Sequence, residues 1–117
     1  MYLIQYKRMY MTIYILNILA SQPNVMLSWG VSKLWPLKGD EGIIFHVEGF
    51  KFNGWVKIVY DEGADLFNIF YIDNKGETQK IQKGIYVDQL ATVIDEAVEK
   101  TTDYENRVKE EYSSTDK

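Results

Sequence analysis

The chain has 117 residues, and its 46% hydrophobic and 15% aromatic content predicts one folded domain and excludes a disordered chain. It contains no cysteine, which excludes disulfides, thiolate nucleophiles and cysteine-based metal sites. The net charge of −4 arises in residues 95–117, which hold eight acidic and four basic side chains. The remainder is neutral, so the sequence does not predict the clustered basic surface of a phosphate-tracking protein.

Residues 10–20 predict a helix that ends before Pro23, because proline is a helix stop signal. The apolar run over 9–20 has two interpretations. A helix buried against the rest of the protein, in a cytoplasmic chain, is the one we expect. The alternative is a signal peptide over 1–20, in which case the protein is exported. The run is too short to predict a membrane span.

The segment Val25–Trp35 alternates apolar and polar positions and predicts a first strand, followed by a loop over Pro36–Gly42. The next segment, Gly42–Asp61, predicts a β-hairpin. Its turn is placed at Asn53-Gly54, since this dipeptide is preferred in two-residue type I′ turns.

That turn fixes the register of the hairpin and sets Phe52 opposite Trp55 and His46 opposite Asp61. One face is then apolar and predicts the core, and the other is mixed and rich in aromatic residues. The core face holds Ile43, Phe45, Val47, Val56, Ile58 and Tyr60. The mixed face holds Ile44, His46, Glu48, Phe50, Phe52, Trp55, Lys57, Val59 and Asp61.

Two further strands are predicted over Leu66–Asp73 and Glu77–Lys83, the second a polar edge strand. Helical spacing then begins near Tyr86 and runs to Lys100, with Asp88 as its expected N-cap. Within this helix, Leu90 and Ile94 are expected to be buried with the core face of the hairpin.

These elements predict an α+β fold, in which an antiparallel meander of about five strands carries an N-terminal helix and one or two C-terminal helices on one face. We expect a single domain over 1–100, with 1–9 either part of it or an extension, and with Met9 and Met11 as alternative starts. Residues 101–117 predict an acidic helical tail with a frayed end. Its apolar stripe would consist of Tyr104, Val108 and Tyr112.

Three stretches together carry a resemblance: Leu27–Gly30, Gly63–Ile69 and Ile85–Ala97. They resemble small uncharacterised proteins of bacteriophages and of mobile elements of gut bacteria. The resemblance covers roughly residues 25–100 and implies a phage or mobile-element origin. It implies no activity and no site residues.

The sequence does not predict an enzyme, a cofactor or a bound metal. It lacks metal-binding and phosphate-binding loop motifs, and its single histidine cannot form a histidine metal cluster. Two weaker alternatives are a catalytic triad of His46, Asp61 and either Ser28 or Ser32, and a magnesium site in the turn that contains Asp61, Glu62 and Asp65. We favour a structural role in both cases, because Asp and Gly form turns and cross-strand polar pairs are common.

The candidate binding face is the mixed face of the hairpin, consisting of Phe50, Phe52, Trp55, Lys57, His46 and Asp61. Aromatic side chains on an open strand face can bind a protein partner or stack nucleotide bases. The opposing interpretation is that the N-terminal helix or the tail covers them. We predict a non-catalytic accessory module that binds a protein, with single-stranded nucleic acid as the alternative ligand. The acidic tail suggests a partner with a basic surface.

Overall fold

The computed structural model describes residues 2–22 and 27–99, with side chains described for 11–22, 27–39 and 41–99. Short 3₁₀ turns at Lys38–Asp40 and Val87–Gln89 connect the larger elements. In chain order these elements are α1 (Tyr2–Ala20), β1 (Ser32–Pro36), β2 (Gly42–Glu48), β3 (Asn53–Asp61), β4 (Leu66–Ile72), β5 (Thr78–Ile85) and α2 (Leu90–Val98).

The five strands form one sheet in the order β1-β2-β3-β4-β5, and every neighbouring pair is antiparallel. The predicted α+β meander is therefore confirmed. Short connections between consecutive strands produce this topology, since antiparallel neighbours need only a hairpin to join them.

The core lies between one face of the sheet and the two helices. Side chains from α1, including Ile15 and Leu19, meet the inward-pointing residues of β2, β3 and β4 in one apolar cluster. Helix α2 adds Leu90, Ile94 and Val98 to the same cluster. The predicted core residues are confirmed except for Tyr60, which is only half-buried; those that are 0% exposed are Ile43, Phe45, Val47, Val56, Ile58, Leu90 and Ile94.

The predicted turn of the central hairpin is wrong. The turn is the four-residue segment 49–52, and β3 already begins at Asn53. His46 lies opposite Trp55 rather than Asp61. The observed pairing differs from the predicted one by six positions. An even shift leaves every strand residue on its predicted face, which is why the core prediction held despite the wrong register.

The C-terminal end of α2 explains where the hairpin turns. The backbone N–H groups of Lys51 and Phe52 donate to the Val98 carbonyl, at 2.7 and 3.2 Å. The Lys51 ammonium also donates to the Glu96 carbonyl at 2.6 Å. The hairpin turn thus satisfies carbonyl groups that the last turn of a helix leaves without partners.

Gly54 is required for close packing between strands and not, as the Asn53-Gly54 motif suggests, for a turn conformation. It is buried in β3, and its φ is not positive. A Cβ on Gly54 would lie 2.4 Å from the carbonyl oxygen of Ile72 in the neighbouring strand. Close approach of two backbones requires glycine here, as it often does inside strands.

The predicted strand over Val25–Trp35 is wrong for its described part before Ser32. Leu27 begins a short turn closed by the N–H of Gly30, and Gly30 has a φ of +60°. This turn directs Trp29 into the core, where it is 0% exposed and stacks on Phe45 at 6.5 Å between ring centroids. Burial of the indole overrides the alternating pattern, since a large aromatic side chain buries about 150–250 Å².

Asp88 is not the N-cap of α2. The helix is entered through the 3₁₀ turn Val87–Gln89, and the Gln89 side chain accepts a hydrogen bond from the Tyr86 N–H at 3.4 Å. The predicted tail, with its apolar stripe, lies outside the described residues, as does the end of the predicted helix at Lys100. Within the ranges that the structure describes, no helix is long and apolar enough to cross a membrane.

Candidate interaction face

The side of the sheet opposite the helices carries two rows of side chains that run across all five strands. Each row follows the observed strand pairing, so its members are direct neighbours on the same face. We call these two rows the outer face. The first row is Trp35, Ile44, Lys57, Phe70 and Ile81. The second row is Ser32, His46, Trp55, Ile72 and Thr78.

The first row of the outer face is apolar apart from Lys57, and both of its ends are exposed to solvent. Trp35 on β1 is 60% exposed and Ile81 on β5 is 50% exposed. Between them, Ile44 and Phe70 are half-buried by their neighbours in the row. Single exposed apolar residues are common on protein surfaces, whereas a continuous patch marks an interaction site.

Lys57 occupies the middle of the first row. Its ammonium nitrogen lies 4.7 Å from the centroid of the Phe70 ring. This is cation–π geometry, and at a partly exposed site it stabilises the pair by about 0.5–1 kcal/mol. The contact holds the positive charge over the apolar surface, so the face presents a cation surrounded by apolar side chains.

A polar cluster borders the second row near the hairpin turn. The ring of His46 meets Trp55 edge-on, at 4.9 Å between centroids. His46 Nε2 lies 2.8 Å from Asn74 Oδ1, and the Asn74 amide nitrogen donates to Asn53 Oδ1 at 3.1 Å. Since the amide oxygen of Asn74 accepts, His46 Nε2 carries the proton. The cluster ties the β4–β5 turn to β2 and fixes the orientation of the imidazole.

The predicted candidate residues do not all share this face. Trp55, Lys57 and His46 belong to it, and Asp61 points the same way from the far end of β3. Asp61 is about 20 Å from Trp55, the span of six strand residues. Its carboxylate accepts a hydrogen bond from the Ala64 N–H in the β3–β4 turn at 3.3 Å.

Phe50 and Phe52 were expected to cluster with Trp55, and this expectation is wrong. Phe52 lies on the core side and meets the buried Tyr71 edge-on, at 5.8 Å between centroids. Phe50 is 65% exposed in the hairpin turn, where its N–H donates to a carboxylate oxygen of Glu99 at 2.8 Å. Because the hairpin turn packs on α2, Phe50 and Phe52 lie in the turn and not at the strand positions predicted for them.

Sequence reasoning missed several residues of the outer face. Phe70 lies inside a continuous apolar run, where alternation is hidden. Ile81 carried a usable signal, because it is the one apolar residue in the predicted polar strand Glu77–Lys83. Trp35 lies at the end of the predicted strand Val25–Trp35. The register of that strand depends on Trp29 turning into the core, which the sequence pattern does not indicate.

The structure does not bring together the residues of the predicted catalytic triad or of the predicted magnesium site. Ser32 does lie opposite His46, but Asp61 is at the other end of β3 and His46 is bonded to Asn74. In the described part of the chain, no group of three or more histidine, aspartate or glutamate side chains could hold a metal ion.

No protein-family model, no curated protein and no solved structure matches this chain significantly. The phage or mobile-element origin implied by the resemblance therefore stays a prediction.

Proposed function

We propose that this protein is a non-catalytic interaction module that binds a protein partner through its outer face. The observation that carries the proposal is the row from Trp35 to Ile81, which spans five strands on the side of the sheet away from α1 and α2. Burying such a face removes apolar surface from water, which is the main driving force of protein association.

The edges of the sheet are poor binding sites by comparison. At one edge, β1 has only five residues, ends in Pro36 and is interrupted by a bulge before Trp35. At the other edge, β5 carries Lys80 and Lys83 and has two register irregularities against β4. Short length, proline, lysine and bulges are the features that protect edges from pairing with another strand. A partner is therefore expected on the face.

The size of the face indicates a modest interface. Each row crosses five strands at about 4.8 Å spacing, and the two rows lie about 7 Å apart along the strands, so together they cover an area on the order of 300 Å². Standard protein complexes bury about 800 Å² on each partner, so this face corresponds to the smaller, transient class.

Lys57 defines the chemistry of the partner. A second copy of this chain packed face to face would bring two Lys57 ammonium groups together, which disfavours a symmetric dimer. A partner that places a carboxylate opposite Lys57, within an apolar patch, satisfies both features of the face. This partner differs from the basic-surfaced one suggested by the acidic tail, because the described face presents a cation.

Aromatic rings on an open sheet also suit single-stranded nucleic acid, and Trp35, Trp55 and Phe70 lie on one such face. Lys57 is the only lysine or arginine in the two rows, whereas single-strand binders combine stacking rings with a basic groove. Protein binding is therefore the better-supported function, and nucleic acid is an outcome of the test.

The test uses immobilised protein to capture partners from nuclease-treated lysate of its source, followed by titration with the purified partner. Ile81→Asp and Trp35→Asp should each weaken binding at least tenfold, because they place a charge in an apolar interface. Leu27→Asp is the matched control, since Leu27 is 78% exposed and lies outside the face. Lys57→Glu should abolish the interaction, and Lys57→Arg should preserve it.

Three results would contradict the proposal. The first is equal loss of binding in Leu27→Asp and Ile81→Asp, which would show that the face is not the site. The second is salt-dependent binding of a single-stranded oligonucleotide that Trp55→Ala abolishes. The third is a dimer of the free protein that Ile81→Asp dissociates.

A further inference from the structure

A groove of about 810 Å³ lies on the opposite side of the sheet from the outer face, between α1, the β3–β4 turn and the segment that leads into α2. Its floor includes Tyr60 and Phe67, which are paired across β3 and β4 on the helix side. Ligand sites of small molecules commonly have volumes of about 300–1,000 Å³, and this groove falls within that range. Its walls are partly apolar, with Ile13 of α1 at the rim.

The lining is aromatic and carries one charge. Among the described residues that line the groove, Asp65 is the only acid, and there is no lysine, arginine or histidine. Its aromatic side chains come from three separate parts of the chain, namely α1, the sheet and the segment before α2: Tyr14, Tyr60, Phe67 and Tyr86.

The carboxylate and the rings are held together. The Tyr60 hydroxyl donates to Asp65 Oδ1 at 2.5 Å, a charge-assisted hydrogen bond. The Tyr60 and Phe67 rings are 5.3 Å apart and tilted by 49°. A carboxylate has about four lone-pair sites, so Asp65 keeps acceptor capacity towards a ligand. The faces of aromatic rings carry partial negative charge, so both the rings and the carboxylate attract a cation.

Exposure supports a binding role for the groove. Tyr14 is 44% exposed and Tyr86 is 61% exposed, although both are large and mainly apolar. Together with Ile13 they concentrate exposed apolar surface around one concavity instead of scattering it. A concave apolar site with one convergent charge is the usual form of a small-molecule site.

We propose that this groove binds a small organic cation: a quaternary or other alkylammonium group attached to an apolar chain. The ammonium group lies against the tyrosine rings and Asp65, and the chain occupies the apolar wall formed by α1. The inference is independent of the outer face, which lies across the sheet and has the opposite charge.

The experiment measures binding of three probes that share a hexyl chain, by calorimetry and by amide chemical shifts. The probes are hexyltrimethylammonium, neutral 1-hexanol and anionic hexanesulfonate. The cation should bind at least tenfold more tightly than either of the others. The largest amide shifts should fall in the β3–β4 turn and around Val87, since both border the groove.

Two variants separate the charge from the rings. Asp65→Asn should weaken binding of the cation about tenfold and leave binding of 1-hexanol unaffected, because it removes the negative charge. The variant should fold normally, since asparagine tolerates the φ of +55° at this position. Tyr14→Leu should weaken the cation about 2- to 30-fold by removing one ring face. Phe50→Leu is the control, since Phe50 is exposed outside the groove.

Equal binding of all three probes would overturn the inference and show only an apolar groove. Unchanged affinity in Asp65→Asn would also overturn it, as would amide shifts confined to the outer face. Loss of folding in a variant is detected by its amide spectrum. In that case Tyr60→Phe serves as the replacement, because it keeps the ring and removes only the hydroxyl that orients Asp65.

Discussion

Replacing Gly49 with alanine tests the contact between the hairpin turn and α2. A Cβ at this position would lie 2.2 Å from Val98 Cγ1 and 2.4 Å from the Val98 carbonyl oxygen. Both distances are below the 3.0 Å that real Cβ atoms essentially never cross. The valine methyl can rotate, but the carbonyl is backbone and also accepts the N–H groups of Lys51 and Phe52. The turn must therefore move away from the helix.

The expected cost follows from two effects. Forcing an extra methyl group into a packed site costs about 1–3 kcal/mol. Weakening two hydrogen bonds adds about 1 kcal/mol each, partly offset by up to about 1 kcal/mol from the less flexible unfolded chain. We expect a loss of about 2–4 kcal/mol in the free energy of unfolding, measured by urea denaturation followed by circular dichroism.

Gly63→Ala is the matched control, because the nearest atom to its added Cβ is 3.6 Å away and its φ is not positive. This variant should lie within about 0.5 kcal/mol of the wild type. The register with a turn at Asn53-Gly54 would instead place Gly49 inside a strand opposite Ile58, where alanine is tolerated. A cost below about 0.5 kcal/mol for Gly49→Ala would therefore refute the observed register.

Three other experiments probe the core. Ile58→Ala should lower the free energy of unfolding by about 2–5 kcal/mol, because Ile58 is 0% exposed; a loss of a few tenths would contradict its burial. Trp29 Nε1 donates a hydrogen bond to Asp95 Oδ1 at 2.9 Å. Urea denaturation of Trp29→Phe, Asp95→Ala and the double variant should therefore show a coupling energy of about 1–2 kcal/mol between the two residues, whereas additive losses of stability would exclude the coupling. Burial raises the pKa of the Tyr71 phenol, so Tyr71 ionises in the unfolded chain before it ionises in the folded protein, and the free energy of unfolding falls above about pH 10. Tyr71→Phe should reduce that fall, and identical pH profiles of stability in the variant and the wild type would contradict this account of Tyr71.

The sequence was sufficient for the architecture because the fold depends mainly on period-two and helical apolar patterns. Phe45 and Val56 belong to a set of alternate positions that are all apolar, whereas the positions between them are mixed, and this pattern identifies the buried face in either register. The position of the turn was not predictable, since it depends on contacts between Gly49 and Val98, which are 49 residues apart in sequence.

The candidate site was predictable only in part, for the same reason. Trp55 and Lys57 belong to strand β3, so alternation placed them on the correct face. Phe52 left its predicted face because the turn packs on α2, and no local signal in the sequence indicates this contact. The ends of the outer face, Trp35 and Ile81, depend on strand order across the whole sheet, which a hairpin alone does not reveal.

The most direct test of the outer face is the rate at which Lys57 is acetylated, measured by mass spectrometry in the free protein and in the complex with its captured partner. Lys38 and Lys75 are the internal references, because both are exposed and lie outside the two rows. If the partner covers the outer face, its binding slows acetylation of Lys57 at least tenfold and leaves the two references unchanged. Equal acetylation of Lys57 in the free and bound protein would contradict the claim that the partner covers this face.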